Sequence, residues 1–403
     1  MLNKTFITLL LTGTLVLSPF DMLDTMKENP KIMYQNLQDK LTELEEAIEI
    51  EEVEDEKAPE YVVTVDPNNP LEIPQCTDER VKEWNPVIID LDFFSDVDDI
   101  MSLRMLAELD NLGYCDVKAA GMCINGFERE VHNTLAYSGL YDVPIGKSSM
   151  DVPPDEYNIM GPYTTAYNCD DSLVIKDAVT LYKEVLRDSK RPVKIITTGY
   201  LTNIQLLLQD SEGYELVKNN CEGLYIVGGS YPTGMDNNFF YTAESKGAIR
   251  YVLANSPAPL YFITNLSLGT RSDTGLFPGF GGVMCGKWLY LNDTAQYDIV
   301  TKALQSYMDF YGVSADKPAG DPMGVWFAVM PEGVRKCHWE DCNLYIAENG
   351  CTTFDESLPP NCKVGWLDDY VTTNGKYYGR RIDWLLTRAI ARKYPTLNIE
   401  IDY

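Results

Sequence analysis

Hydrophobic and polar positions along this chain fall into alternating blocks. Val87, Ile88 and Ile89 form an unbroken β-branched run after Pro86, which suits a strand buried on both faces of a parallel sheet better than a half-exposed one. Similar runs predict strands over Val117 to Met122, Val193 to Thr197, Leu224 to Val227 and Leu260 to Ile263. Helical spacing predicts helices over Val131 to Leu140, Ser172 to Leu186, Ser245 to Ala254, Thr301 to Tyr311 and Asp321 to Met330, with a last one over Ile382 to Arg392. This alternation predicts an α/β fold, an open doubly wound, mostly parallel sheet with flanking helices, in one domain over residues 86–403. From Glu332 to Tyr378 the period breaks, and an irregular cysteine-bearing segment is expected.

The chain ahead of Pro86 differs in kind. Asp21 to Asn85 holds 19 Asp and Glu against 6 Lys and Arg, so nearly half of the net charge of −28 sits there. Met33, Leu37, Leu41, Leu44 and Ile48 share a helical stripe that stops in an acidic run and the Pro-dotted stretch Pro59 to Pro74. Residues 21–85 therefore read as an acidic spacer or pro-segment. Met1 to Phe20 combines Lys4 with an apolar run from Phe6 to Val16, short of the about 20 residues of a membrane span and suited to a secretory signal peptide. The expectation is a secreted, extracellular protein without stable membrane insertion.

Ten cysteines, an even number, then predict disulfides, with Cys337, Cys342, Cys351 and Cys362 pairing largely among themselves. Zinc ligation by Cys337, His338 and Cys342 is the weaker reading. Asn265-Leu266-Ser267 and Asn292-Asp293-Thr294 are glycosylation sequons. The strong negative charge excludes nucleic-acid partners and anionic membranes, which need basic surface, and leaves neutral small molecules. A homo-oligomer is compatible with the sequence. Only two histidines, His132 and His338, argue against a His-rich metal centre.

The chemistry concentrates where the first strand ends. Asp90 and Asp92 alternate at the strand end, and Asp96, Asp98 and Asp99 crowd the first turn of the next helix. Helix capping accounts for one or two such residues, not five. So many carboxylates repel one another unless a cation neutralises them, and an all-oxygen donor set suits a hard ion such as Ca²⁺ or Mg²⁺. The carboxyl end of a parallel strand is also where α/β sheets place their sites.

Two families resemble this stretch. An apolar strand ending in Asp-x-Asp is similar to the first motif of haloacid-dehalogenase-like phosphatases, with Asp90 as nucleophile and Asp92 as acid. That pattern usually continues with Gly-Thr, where this chain has Phe93-Phe94, and its final acidic pair is incomplete at Gly320-Asp321. An EF-hand fits less well, because Ser95 and Met101 replace its glycine and closing glutamate. The closer resemblance is to the inosine-uridine-preferring nucleoside hydrolases, one large subgroup of which carries Asp-Thr-Asp-Ile-Gly-Asn-Asp-Val-Asp-Asp where this chain reads DLDFFSDVDD, Asp90 to Asp99. Further similarities occur in the family's order: YSGLYDVPIG at Tyr137 to Gly146, KIITTGYLTN at Lys194 to Asn203, Val227-Gly228-Gly229 with Asn237-Asn238-Phe239, and GDPMGVWFAV at Gly320 to Val329.

The resemblance covers Pro86 to the C-terminus and implies calcium-dependent hydrolysis of the N-glycosidic bond of ribonucleosides, releasing base and ribose. It implies a Ca²⁺ held by Asp92, Asp99, the Thr198 carbonyl and Asp321, with Asp92 also as catalytic base. Asp98, Asn125 and Asn238 are implied to bind the ribose of a small nucleoside substrate. Phe94 and Ser95 stand where the family has Gly and Asn, and Gly320 where some members have the histidine that protonates the leaving base. A catalytically altered calcium-binding member of the same fold is the alternative. Tyr200, Tyr231, Phe239, Phe240 and Tyr241 are candidates to stack on the base in place of an imidazole.

Overall fold

The computed structural model describes residues 73–93, 96–150, 173–264, 271–272, 275–276, 283–286, 298–311, 317–367 and 376–393. The expected signal peptide, the acidic helical stripe and both sequons lie outside the described residues.

A short helix α1 (Glu79–Trp84) leads into β1 (Pro86–Leu91), every residue of which is buried. Next come α2 (Asp98–Asn111), β2 (Asp116–Met122), α3 (Glu128–Tyr137), β3 (Ile145–Lys147), β4 (Ile175–Asp177) and α4 (Ala178–Asp188). The second half runs β5 (Val193–Thr197), α5 (Thr202–Gln209), α6 (Ser211–Asn220), β6 (Cys221–Val227), β7 (Thr233–Gly234), α7 (Asn237–Phe240), α8 (Ala243–Asn255) and β8 (Leu260–Ile263). After the two-residue strands β9 (Arg271–Ser272), β10 (Gly275–Leu276) and β11 (Met284–Cys285) come α9 (Ile299–Tyr311), β12 (Lys317–Pro318), α10 (Gly320–Val329) and α11 (Glu332–Arg335). The chain closes with β13 (Cys337–Ile346), β14 (Thr352–Asp355), β15 (Cys362–Leu367) and α12 (Lys376–Lys393).

The main sheet has the order β4-β3-β2-β1-β5-β6-β8-β15-β13-β14-β7. All neighbours from β4 to β15 run parallel, and β13, β14 and β7 add an antiparallel flank. This is the open, doubly wound, mostly parallel sheet expected. Alternate residues of β1 face two cores: Val87, Ile89 and Leu91 pack with α2, α3, α10 and α12, while Ile88 packs with α4, α5 and α8. Strand order reverses between β1 and β5, which opens a crevice at their carboxyl ends.

Helix α2 is buried along nearly its whole length, and its polar side chains are paired rather than solvated. Arg104 donates to Asp298 at 3.1 Å and to the Ser138 hydroxyl at 2.8 Å; Arg392 of α12 reaches Glu108 at 2.7 Å. Such pairing is what makes buried charge tolerable, and it fixes the helix whose first turn carries Asp98 and Asp99.

Several expectations need correction. The packed structure begins ahead of the boundary set at Pro86: Ile73 is fully buried in the core, the Cys76 N–H donates to the Leu112 carbonyl at 2.8 Å, and the Tyr114 hydroxyl donates to the Pro74 carbonyl at 2.8 Å. The helix expected from Ser172 starts at Ala178, because Ile175–Asp177 pairs with β3 as an edge strand and Asp177 then caps the helix through the Thr180 N–H. Helices α5 and α6 were not expected; Asp210 separates them, its side chain accepting from the Gly213 N–H.

The segment from Glu332, expected to be irregular, supplies three strands of the sheet. Its cysteines do not form the expected bridges: Cys342, Cys351 and Cys362 carry free thiols, as do Cys115, Cys123 and Cys221. Cys342 and Cys362 stand opposite each other in register, but the Cys362 thiol donates to the Cys342 carbonyl at 3.3 Å. Cys337, five residues from Cys342 on the same strand, packs into the opposite core, which also removes the zinc reading.

Candidate active site

The crevice between β1 and β5 is built from the residues at and just after the end of each strand. Asp90, next to last in β1, faces inward and is 1% exposed; its Oδ1 accepts from Asn203 Nδ2 at 3.1 Å, and its carbonyl accepts from the Thr198 N–H at 2.8 Å. Burial, first of all, pushes its pKa up to about 7. Asp90 lies beside Gly121 of β2, and a Cβ there would meet the Tyr182 hydroxyl at 1.5 Å, so the absence of a side chain lets that hydroxyl in. An inward, tethered Asp90 cannot attack a phosphoryl group, and the phosphatase reading falls with it.

Asp92 follows just past the end of β1. The turn after β5 presses against it: a Cβ on Gly199 would lie 2.5 Å from the Asp92 Cβ. Burial and then the charge of Asp98 push the Asp92 pKa up to about 8. On the first turn of α2, burial and then Asp96 raise Asp98 to about 7. Asp99 rises well above the ordinary carboxyl value through burial, Asp92 and Asp98, although its Oδ1 accepts from the Thr198 hydroxyl at 2.9 Å. Asp321, at the start of α10, is raised by burial and then by Asp98, Asp99 and Asp92. A Cβ on the adjacent Gly320 would stand 3.2 Å from Asp98 Oδ2.

Asp92, Asp98, Asp99, Thr198 and Asp321 are therefore brought to one place, from β1, α2, β5 and α10. Among the described residues no three His, Cys, Asp or Glu side chains already converge as a cation cage. The donor set nevertheless fits a hard divalent ion: four carboxylates taken out of water and crowded by neighbouring aspartates, relieved either by protons or by a cation.

Asn125 and Asn238 are placed differently. Asn125, past β2 at the same sheet edge, donates to the Ser148 carbonyl at 3.0 Å. Asn238 spends both amide hydrogens on the protein, donating to the Thr198 carbonyl at 2.8 Å and the Val227 carbonyl at 3.0 Å, so only its Oδ1 is left for a ligand. Asp236 fixes it by accepting from the Asn238 N–H at 3.0 Å. The expected stacking aromatics are mostly packing residues: Tyr200 and Phe239 are core, and Tyr231 packs against Phe354 and Trp366, while Tyr241 stands exposed. Phe94 and Ser95 lie outside the described residues.

Sequence reasoning missed Lys317, whose Nζ lies 2.8 Å from Asp96 and 3.5 Å from Asp98; no spacing rule connects it to a cluster more than 200 positions earlier. It gave Asn203 as part of a motif but not its bond to Asp90.

Comparison with protein families matches residues 87–371, most of the chain, to the inosine-uridine preferring nucleoside hydrolases. The chain belongs to this family of nucleoside N-ribohydrolases. Among solved structures, the inosine-uridine preferring nucleoside hydrolase of Bacillus anthracis is similar with a TM-score of 0.54 at 14% identity, over 76% of this chain and 99% of that one. An inosine-guanosine nucleoside hydrolase gives 0.56 at 15% identity, over 75% and 99%. The purine-preferring ribonucleoside hydrolase of Gardnerella vaginalis gives 0.52 at 15%, over 75% and 99%. At these identities the structural likeness concerns the fold. Comparison with curated protein sequences finds no match.

Proposed function

We propose that this chain hydrolyses the N-glycosidic bond of ribonucleosides in a calcium-dependent reaction. The observation that carries the reading is the gathering of Asp92, Asp98, Asp99 and Asp321 at the crevice between β1 and β5, in a family of N-ribosyl hydrolases. Asp92, Asp99, Asp321 and the Thr198 carbonyl would hold the ion, all of them oxygen donors as calcium prefers. When bound, calcium supplies a positive centre that acidifies a water and orients the ribose diol.

The protein's own groups do the rest. Asp92, standing with Asp98, Asp99 and Asp321 at the crevice, takes the proton of the attacking water in its charged form. Asp98 accepts hydrogen bonds from ribose hydroxyls, with Asn125 and the Asn238 Oδ1 as further partners. These contacts hold the sugar while it passes through an oxocarbenium-like state.

Release of reducing sugar and free base from a panel of inosine, guanosine, adenosine, uridine and cytidine, with calcium and with chelator, tests this. Turnover is expected with calcium and is abolished by Asp92→Ala. A folded, calcium-saturated protein inert toward the whole panel points to the second reading, a calcium-binding member without turnover, which Gly320 in the place of a histidine favours. Export is part of the proposal and is supported by the apolar run Phe6 to Val16; among the described residues the free thiols of Cys342, Cys351 and Cys362 add no support to it. The N-terminal residue of the mature protein decides it.

A further inference from the structure

Lys317 is buried among carboxylates. Its side chain is 8% exposed, its Nζ lies 2.8 Å from Asp96 Oδ2 and 3.5 Å from Asp98 Oδ2, and the ammonium faces the Tyr307 ring at 5.5 Å. It stands on β12, on the short segment that also carries Gly320 and Asp321. Burial opposes its charge, but Asp98 and Asp96 outweigh burial and raise its pKa above the ordinary lysine value. It is therefore a permanent cation at the edge of a site made for another cation.

We propose that Lys317 is a positioning residue that divides the aspartate cluster: it holds Asp98 and Asp96 in ion pairs, leaves Asp92, Asp99 and Asp321 to the metal, and keeps Asp98 for the ribose hydroxyls. The proposal rests on the calcium-dependent nucleosidase reading. Asp98 neighbours Asp99 on the same helical turn, and calcium accepts six to eight oxygens, so an uncommitted Asp98 would be drawn to the ion. The ammonium prevents this in two ways. It supplies Asp98 with a counter-charge at 3.5 Å, and it repels a divalent ion.

Removing the ammonium has two effects of opposite sign. The cluster gains net negative charge and a free carboxylate, so calcium binds more tightly. At the same time Asp98 leaves its place, so substrate is used less well. A lysine that merely propped up the loop would give losses in both.

The experiment uses the full chain, Lys317→Met and Lys317→Arg, with thermal unfolding as the check on folding, calcium titration calorimetry of chelator-treated protein, and steady-state hydrolysis of inosine. Lys317→Met is expected to bind calcium about tenfold more tightly and to lose about tenfold or more in kcat/KM, chiefly through KM. Lys317→Arg, which keeps the charge, stays close to the parent in both. Calcium affinity that is unchanged or weaker in folded Lys317→Met overturns the proposal. Should that variant not fold, Asp96→Asn at the half-exposed end of the pair serves instead: the ammonium then bears on Asp98 alone and calcium affinity falls several-fold, whereas unchanged or tighter binding overturns the proposal. If the parent hydrolyses no nucleoside but calcium still tightens in Lys317→Met, the division of carboxylates stands and the nucleosidase reading is what fails.

Discussion

Asp90 and Asp92 are two residues apart and have opposite surroundings, which decides what each can do. Asp90 is enclosed, with Asn203 on one oxygen and the Tyr182 hydroxyl nearby over Gly121; Asp92 faces the cluster at the crevice. Asn203 also donates to the Met122 carbonyl at 2.9 Å, so it ties β1 to β2 from the first turn of α5. Asn203→Leu keeps the volume and removes both donations, leaving buried acceptors unpaired. A loss of about 1–3 kcal/mol in urea unfolding is expected; unchanged stability would refute the role given to this bond. The histidines are expected to matter little. His132 is sealed within α3, and His338 is half exposed with Glu340 at 3.1 Å. His132→Asn and His338→Ala should keep most nucleosidase activity, and a loss of several orders of magnitude in either folded variant would mean that an imidazole does protonate the leaving base. At this scale the aspartates were legible in the sequence because five carboxylates in ten residues exceed what capping needs. Lys317 was not, because its partners are distant in sequence and a lone lysine is ordinary surface composition.

The element that sets the site's geometry is the turn between β5 and α5. Thr198 bonds to Asp90 and Asp99, Gly199 lets the chain pass against Asp92, and Asn238 from α7 closes on the Thr198 carbonyl. Gly199→Ala would put a Cβ 2.8 Å from the Asp92 backbone nitrogen, a contact that a backbone neighbour cannot relieve without moving. The variant is expected to fold with a lowered Tm, bind calcium less tightly and lose most of its activity; full calcium affinity would show that Asp92 tolerates the shift. Elements were legible wherever hydrophobic period and length agreed, so the strand bounds Val193–Thr197 and Leu260–Ile263 came out as expected. The flank from Cys337 to Leu367 was not, for a physical reason. β13 mixes buried, half-buried and exposed residues without a strict period, three of its segment's four cysteines sit in β13 and β15, and Gly and Pro in the connections look like loop chemistry. Cysteine content pulled the reading toward bridges, while the register shows strands held by backbone pairing with free thiols beneath.

At the scale of the whole molecule, a sheet covered on both faces concentrates uncompensated charge at one edge, and this ties stability to pH and to calcium together. The cluster's carboxyls titrate near an ordinary value of about 3.9 in an unfolded chain. In the folded chain Asp90 and Asp98 rise to about 7 and Asp92 to about 8, with burial as the first cause in each. A carboxyl with a raised folded pKa keeps its proton in the folded state after the unfolded state has lost it. Across this window the folded state binds more protons, so stability falls as pH rises from the unfolded value through the folded one. Chelator-treated protein should therefore show a Tm that climbs as pH is lowered from about 8 to about 5.5, contrary to the usual acid loss of carboxylate ion pairs. Calcium acts in the opposite sense, because it binds the deprotonated carboxylates and its affinity grows as they lose protons. Saturating calcium should raise Tm most at the alkaline end and flatten or reverse the slope, an effect that differential scanning calorimetry at matched ionic strength reads directly. Asp92→Asn removes one titrating group and should reduce both the pH slope without calcium and the calcium gain at high pH. A chelated parent whose Tm falls from about pH 8 to about pH 6, or whose slope is the same with and without calcium, would show that these aspartates are not the proton-binding groups that couple the site to the fold.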